Sequence, residues 1–225
     1  SLAPRLNAAG RMSLAQNSLQ LLLTENEAEA AALAQQLEIE NKKRQETERS
    51  IVDAAVLQCE EDAKALEPVL IVAGENWHPG VIGIVASRLV ERYYRPAIVL
   101  TLSEEGVAKG SCRSIPGFDM HQALQACSHL LERFGGHKQA AGLTMRVENL
   151  KALQGAMNEQ AAQMLRQEDY IPKVCVDAVV SLDLVNEALL SQLELLEPYG
   201  IGNPRPRFLL QGLHLQGEAR RMGKE

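Results

Sequence analysis

From Glu25 to Ala65 the chain carries neither glycine nor proline and is rich in Ala, Glu, Gln, Leu and Lys, residues that cost little on entering a helix. One long helix over this stretch constrains the fold more than any other feature, because everything before 25 and after 65 must attach to its ends. Its centre, Glu38 to Ser50, is nearly all polar, with opposite charges at helical spacing: Glu38 with Lys42, Glu40 with Arg44, Arg44 with Glu48. Apolar residues thicken towards the ends, Leu33 and Leu37 on one side and Ile51, Val52, Ala55 and Val56 on the other. A helix apolar at its ends and charged at its waist reads as a bridge between two bodies. The waist lacks the a/d seam of a coiled coil.

Beyond Pro68, Val69–Gly74 reads as a buried strand, Trp77–Gly80 as a turn, Val81–Tyr93 as a helix and Pro96–Leu100 as a strand. Such a unit crosses over right-handed into a parallel pair. Its first loop aims at the helix start, where free N–H groups favour anions. His78 there either faces a ligand or caps the turn. Glu104-Glu105-Gly106 is a tight turn into a hairpin strand ending at Arg113. Asp119 caps a helix whose period runs through Met120, Ala123, Leu124, Cys127, Leu130 and Leu131 to a stop at Gly135. His121 and His129 in it are explained by packing. Leu143–Val147 is a further strand and Leu150–Gln167 a further helix, so residues 66–168 are expected to form a compact α/β domain with a mixed sheet. Before the long helix, Leu2–Met12 reads as a loop and Leu14–Leu23 as a short helix. After Pro172 the expectation is a strand at Val174–Ala178, a helix at Val185–Leu196, a turn-rich loop at Tyr199–Pro206, and strands at Phe208–Leu210 and Leu213–Leu215. Ragged ends on both sides point to a piece of a larger protein.

Aromatics are only 4% of residues, so the cores should be aliphatic. No apolar run approaches the ~20 residues of a membrane span. Cys59, Cys112, Cys127 and Cys175 show no C-x-x-C spacing, which argues against zinc and against a disulfide framework and favours reduced thiols in the cytoplasm. The net charge of −6 gives no global attraction to nucleic acid. From Asn203 onward, however, Arg205, Arg207, Arg220, Arg221 and Lys224 outnumber Glu218 and Glu225. That patch is either a solvated face or a local nucleic-acid contact.

Two glycine-rich segments carry the candidate chemistry. In Phe134-Gly135-Gly136-His137-Lys138-Gln139-Ala140-Ala141-Gly142, glycines that allow close backbone approach precede two donors suited to an anionic oxygen. A helix C-terminal glycine stop is the plainer reading. Gly110-Ser111-Cys112-Arg113-Ser114 offers hydroxyls and a guanidinium with little bulk. Together they suggest a site that holds phosphate. Arg5 and Arg11 near the start are either phosphate clamps or ordinary loop arginines.

Three ordered stretches, Ala3–Arg11, Trp77–Ala86 and Gly135–Gly142, with Gly110–Ser114 between them, resemble the DHH (Asp-His-His) phosphoesterase family, in particular its single-strand-specific 5′→3′ DNA exonucleases. Tyr199–Pro204 fits the entry to that group's OB-type barrel. The resemblance implies a DHH catalytic tail at 1–24, a long connector helix at 25–65, a mixed-sheet α/β DHH-associated domain at 66–168, and an incomplete OB-fold-like unit at 169–225. It implies phosphodiester hydrolysis in DNA repair and recombination by the full-length enzyme, with Mn²⁺ or Mg²⁺ bound by a DHH domain that has no counterpart here. No cofactor is then expected in this piece, which alone should be inactive. By resemblance His137 and Arg113 contact the reacting phosphate, and Arg5, Arg11, Gly110, Ser111, Ser114, Gly135, Gly136 and Lys138 bind single-stranded DNA or its phosphates. Implied partners are single-stranded DNA and repair proteins such as single-strand-binding protein, with no membrane. The alternatives are a non-catalytic nucleotide- or phosphate-binding module, and a DHH-family oligonucleotide phosphodiesterase or tRNA-editing domain.

Overall fold

The computed structural model describes residues 2–12, 15–61, 67–214 and 217, which cluster into two units, 1–171 and 172–225. In the first, α3 (Glu27–Glu61) follows two short helices, α1 (Ala3–Met12) and α2 (Gln16–Leu23). Then come β1 (Leu70–Glu75), α4 (Pro79–Tyr93), β2 (Ala97–Leu102), β3 (Val107–Arg113), α5 (Met120–Ala126), β4 (Arg133–Gly136), β5 (Ala140–Arg146) and α6 (Leu150–Met164). The sheet order is β1-β2-β3-β5-β4. β1 and β2 are parallel across the α4 crossover, and the other pairs are antiparallel. This is a mixed α/β sheet.

Successive strand residues face opposite ways, and the two faces bury against different helices. Ile71, Ile98, Leu100, Cys112, Leu143 and Met145 share a core with Leu124 of α5 and Leu153 and Met157 of α6. On the other face Leu70, Val72, Ala97 and Val99 pack under Val81, Val85 and Leu89 of α4 and Ile51, Ala55 and Cys59 of α3.

Glycines set how closely α4 is approached. A Cβ on Gly80 would lie 2.0 Å from the Arg11 carbonyl oxygen, so the end of α1 rests directly on the start of α4. One turn on, a Cβ on Gly83 would lie 2.9 Å from Ser111 Oγ and 3.1 Å from Arg113 Nη2.

In the first unit three sequence expectations are corrected: a loop, a helix end and an ion pair. Leu2–Met12 is not a loop: Pro4 is tolerated in a helical first turn, and Ala8 and Ala9, fully buried, let α1 pack closely on its neighbours. The helix from Asp119 does not run to Gly135. It ends at Ala126, a 3₁₀ turn follows at Ser128–Leu130, and Asn149 Nδ2 donates to the Leu130 carbonyl at 3.0 Å. Phe134 then pairs with Leu143 as an edge strand, so Gly135-Gly136 belongs to a β-hairpin. The polar waist of α3 keeps Lys42, Lys43, Glu46 and Arg49 exposed, but its other side is packed. Arg44 and Glu48 form their expected pair at 13% side-chain exposure each, Arg88 of α4 reaches Glu48 at 3.2 Å, and Asn41 is buried. Glu38 pairs with Arg5 rather than Lys42.

The second unit holds β6 (Ala178–Val179), α7 (Glu187–Glu194) and β7 (Phe208–Leu209), with β6 and β7 parallel. Its strands are shorter than expected: Val174–Asp177 is irregular, as are Leu213 and His214. Each strand has a single hydrogen-bonded neighbour and almost no buried face to extend it. Leu14, residues 62–65, Leu215 and the basic residues Arg220, Arg221 and Lys224 lie outside the described residues. Among the described residues no helix is long and apolar enough to cross a membrane.

The close approach of α1 to α4 makes a stability prediction. Gly80→Ala should lower the urea midpoint of the first unit by the equivalent of about 1–3 kcal/mol, as overpacking does. Gly135→Ala, whose Cβ would meet nothing within 4 Å, should stay within about 0.5 kcal/mol of the parent.

Candidate functional site

The start of α4 is closed to anions. Pro79 has no N–H, the Gly80 N–H donates to His78 Nδ1 at 3.1 Å, and the Val81 and Ile82 N–H groups donate to the His78 carbonyl. His78 is therefore the cap of the turn.

The polar chemistry lies instead on the sheet face past α4. In the β3–β5–β4 register, Arg113 pairs with Ala140, Ser111 with Gly142 and Lys109 with Thr144, while Gly142 faces Gly135 and Thr144 faces Arg133. Directly paired residues share a face, so three rows cross the sheet. The first holds Arg113 beside the 137–139 hairpin turn. The second is floored by Gly142 and Gly135 next to Ser111. The third is Lys109, Thr144 and Arg133. Alternate residues of the same strands, Ala108, Cys112, Leu143 and Met145, are buried on the opposite face. The floor is open: besides the empty space at Gly135, a Cβ on Gly142 would meet only the Gly110 carbonyl oxygen at 3.6 Å. A groove of ≈ 350 Å³ lies over its far end, lined by Lys109, Arg133, Gly142 and Thr144 among others.

Arg113 anchors the first row. Its Nη1 donates to the Cys112 carbonyl at 2.8 Å and to Ser111 Oγ at 3.2 Å. Among the described residues no carboxylate pairs with it, nor with Lys109, Arg133 or Arg146. A guanidinium has five N–H donors, so this one is braced by its own strand with donors to spare. Cys112, beneath it on the core face, is fully buried, and that burial pushes its thiol up to about 12 against the opposing pull of Arg113.

The hairpin carries the second glycine-rich segment to the same end. The Ser114 N–H donates to the Gln139 carbonyl at 3.0 Å, and the His137 N–H to the Ala140 carbonyl at 2.8 Å. Gly136 has φ +141, and a Cβ there would sit 2.5 Å from the Ala140 oxygen, so only glycine fits this turn. His137 and Lys138 are exposed, and Lys138 Nζ lies 3.9 Å from Asp119 Oδ2. Arg113, Ser111, Gly135, Gly136, His137 and Lys138 thus meet at one end of the sheet.

The other expected site residues, Gly110, Ser114, Arg5 and Arg11, make other contacts. Gly110 faces the core, where a Cβ would lie 2.6 Å from Leu100 Cδ2. Ser114 is buried, and its hydroxyl donates to the Phe118 carbonyl at 2.8 Å. Arg5 pairs with Glu38. Arg11 Nη1 donates to the Gly80 carbonyl at 3.4 Å, one turn of α4 from the point where Gly83 meets Arg113. Lys109, Thr144, Arg133 and Arg146 were not among the sequence candidates. Counting back by twos from Arg113, and on by twos from Gly142, finds the first two and Arg146. Among the described residues no group of three or more His, Cys, Asp or Glu side chains could hold a metal ion.

Comparison with known proteins places these elements. A DHHA1 domain model matches residues 66–163 and a RecJ OB domain model matches residues 176–225. The chain is 41% identical over 223 residues to the single-stranded-DNA-specific exonuclease RecJ of Bacillus subtilis, covering 99% of this chain and 28% of that protein. It is 40% identical over 228 residues to the RecJ of Thermus thermophilus, covering 99% and 31%. The crystal structure of T. thermophilus RecJ in complex with Mn²⁺ superposes with a TM-score of 0.81 at 36% identity, covering 93% of this chain and 30% of that one. The Mg²⁺ complex gives 0.79 at 35%, covering 91% and 31%. The chain spans about a third of the length of these relatives.

Thiolate, not thiol, reacts with alkylating reagents, and of the four cysteines only Cys175 is exposed. At about pH 8 a maleimide should label one thiol per native chain and all four in denaturant. Rapid native labelling of Cys112, read by mass spectrometry, would contradict the burial that supports Arg113.

Proposed function

We propose that this chain, a member of the RecJ family by its DHHA1 and RecJ OB domains, is the strand-holding part of a single-stranded-DNA-specific 5′→3′ exonuclease. One observation supports this reading above the rest: Arg113 is held by its own strand, unpaired with any acid among the described residues, at the rim of an open glycine floor. A phosphate placed there can take the free guanidinium donors bidentately and the Ser111 hydroxyl as a further donor, while His137 and Lys138 approach from the hairpin. The glycine floor lets the sugar-phosphate backbone lie close to the sheet.

In this reading residues 1–24 end the metal-bearing domain, 25–65 connect it to the strand-holding domain at 66–168, and 169–225 begin the OB-fold. The metals are bound outside this chain, which alone does not cut DNA. What its residues contribute to hydrolysis is position and charge. The scissile phosphodiester is fixed in line, and donors already oriented by the fold face the charge that grows on its oxygens. Single-stranded DNA is the partner, with repair proteins such as single-strand-binding protein as further ones, in the cytoplasm.

In the whole exonuclease, Arg113→Ala should lower kcat by about 10²–10³-fold, the cost of losing one oriented donor, and Arg113→Lys should restore only part of it because a lysine cannot bind bidentately. Unchanged turnover on 5′-phosphorylated single-stranded DNA would remove Arg113 from the site.

A further inference from the structure

We infer that the row Lys109–Thr144–Arg133 is a second phosphate subsite, which grips the same DNA strand further along from the Arg113 end. The inference rests on the reading above and extends it to side chains that carry no glycine-rich motif.

Lys109 and Arg133 flank Thr144 on neighbouring strands, so two cations and a hydroxyl stand within side-chain reach of one point above β5. Both cations are exposed, and neither is paired with an acid among the described residues. The acids closest in sequence, Glu104, Glu105 and Glu132, lie outside β3 and β4. In a chain of net charge −6, a sheet face whose β3, β5 and β4 residues include Arg113, Lys109, Arg133 and Arg146 and no acid is a local concentration of positive charge, and its complement is a polyanion. The opposite face of the same strands is aliphatic and buried.

Spacing selects an extended strand over a lone phosphate. Lys109 lies four residues from Arg113 along β3, about 13 Å at the usual strand rise. A single phosphate cannot touch both, whereas a single strand crossing the Gly142–Gly135 floor reaches both with different phosphates. No base-reading group interrupts the floor, so the grip is independent of sequence.

The test titrates the 225-residue chain with a 5′-phosphorylated oligothymidylate over a range of salt, alongside Lys109→Gln/Arg133→Gln and Arg113→Ala variants. Each cation removed from a single-strand phosphate lowers the slope of log K against log salt by about 0.7, so the double variant should be shallower by about 1.4. Its affinity for a 5′-phosphorylated dinucleotide, too short to span the floor, should not change. If Arg113→Ala weakens binding while the double variant keeps the parental slope, the subsite is overturned and the Arg113 reading stands. If the parent does not bind at low salt, or neither variant alters binding, both fall together.

Discussion

Everything proposed for this chain depends on the register in which β3 pairs with β5. Arg113 opposite Ala140 and Ser111 opposite Gly142 put guanidinium, hydroxyl and glycine on one face, and Cys112, Ala141 and Leu143 on the other. A slip of one residue would exchange the two sets, burying Arg113 under α5 and α6 and exposing the core. Burial of the alternate residues therefore enforces the polar face. The energy that sets the site comes from the side of the sheet that never meets a ligand.

The second constraint is closeness of helix and sheet. Gly83 brings α4 against Ser111 and Arg113, and Gly80 lets the end of α1 rest on α4. A short chain of close approaches thus runs from Arg11 to Arg113. The first of these contacts is to backbone, the Arg11 carbonyl, and the second to the side-chain ends of Ser111 and Arg113. The polar waist of α3, buttressed by Arg88, holds α4 from its outer side.

Much of the fold was legible in the sequence, for a physical reason in each case. The β1–α4–β2 unit showed in two aliphatic runs flanking a helical period, and the β2–β3 hairpin in Glu104-Glu105-Gly106. What escaped depended on partners far along the chain. α1 is helical because small residues let it pack, and β4 is a strand because Phe134 meets Leu143. The apolar period through Leu130 and Leu131 mimicked a continuing helix. The site was half legible. Glycine-rich segments drew attention to Arg113, Ser111 and the His137 hairpin, which the fold gathers at one end. The same cue also drew in Gly110, where a Cβ would meet Leu100, and the buried Ser114, and passed over Lys109 and Arg133, whose relation to Arg113 appears only once strand alternation and pairing are known.

The central claim is that an open, cationic sheet face holds the strand, and backbone amide chemical shifts measured during titration with 5′-phosphorylated single-stranded DNA test it most directly. The account predicts that the largest perturbations fall on Ser111, Arg113, Gly135, His137 and Gly142, with Leu153 and Met157 of α6, on the opposite face of the sheet, unmoved. Perturbations concentrated on α6, or none on the β3–β5–β4 face under conditions where DNA is bound, would contradict it.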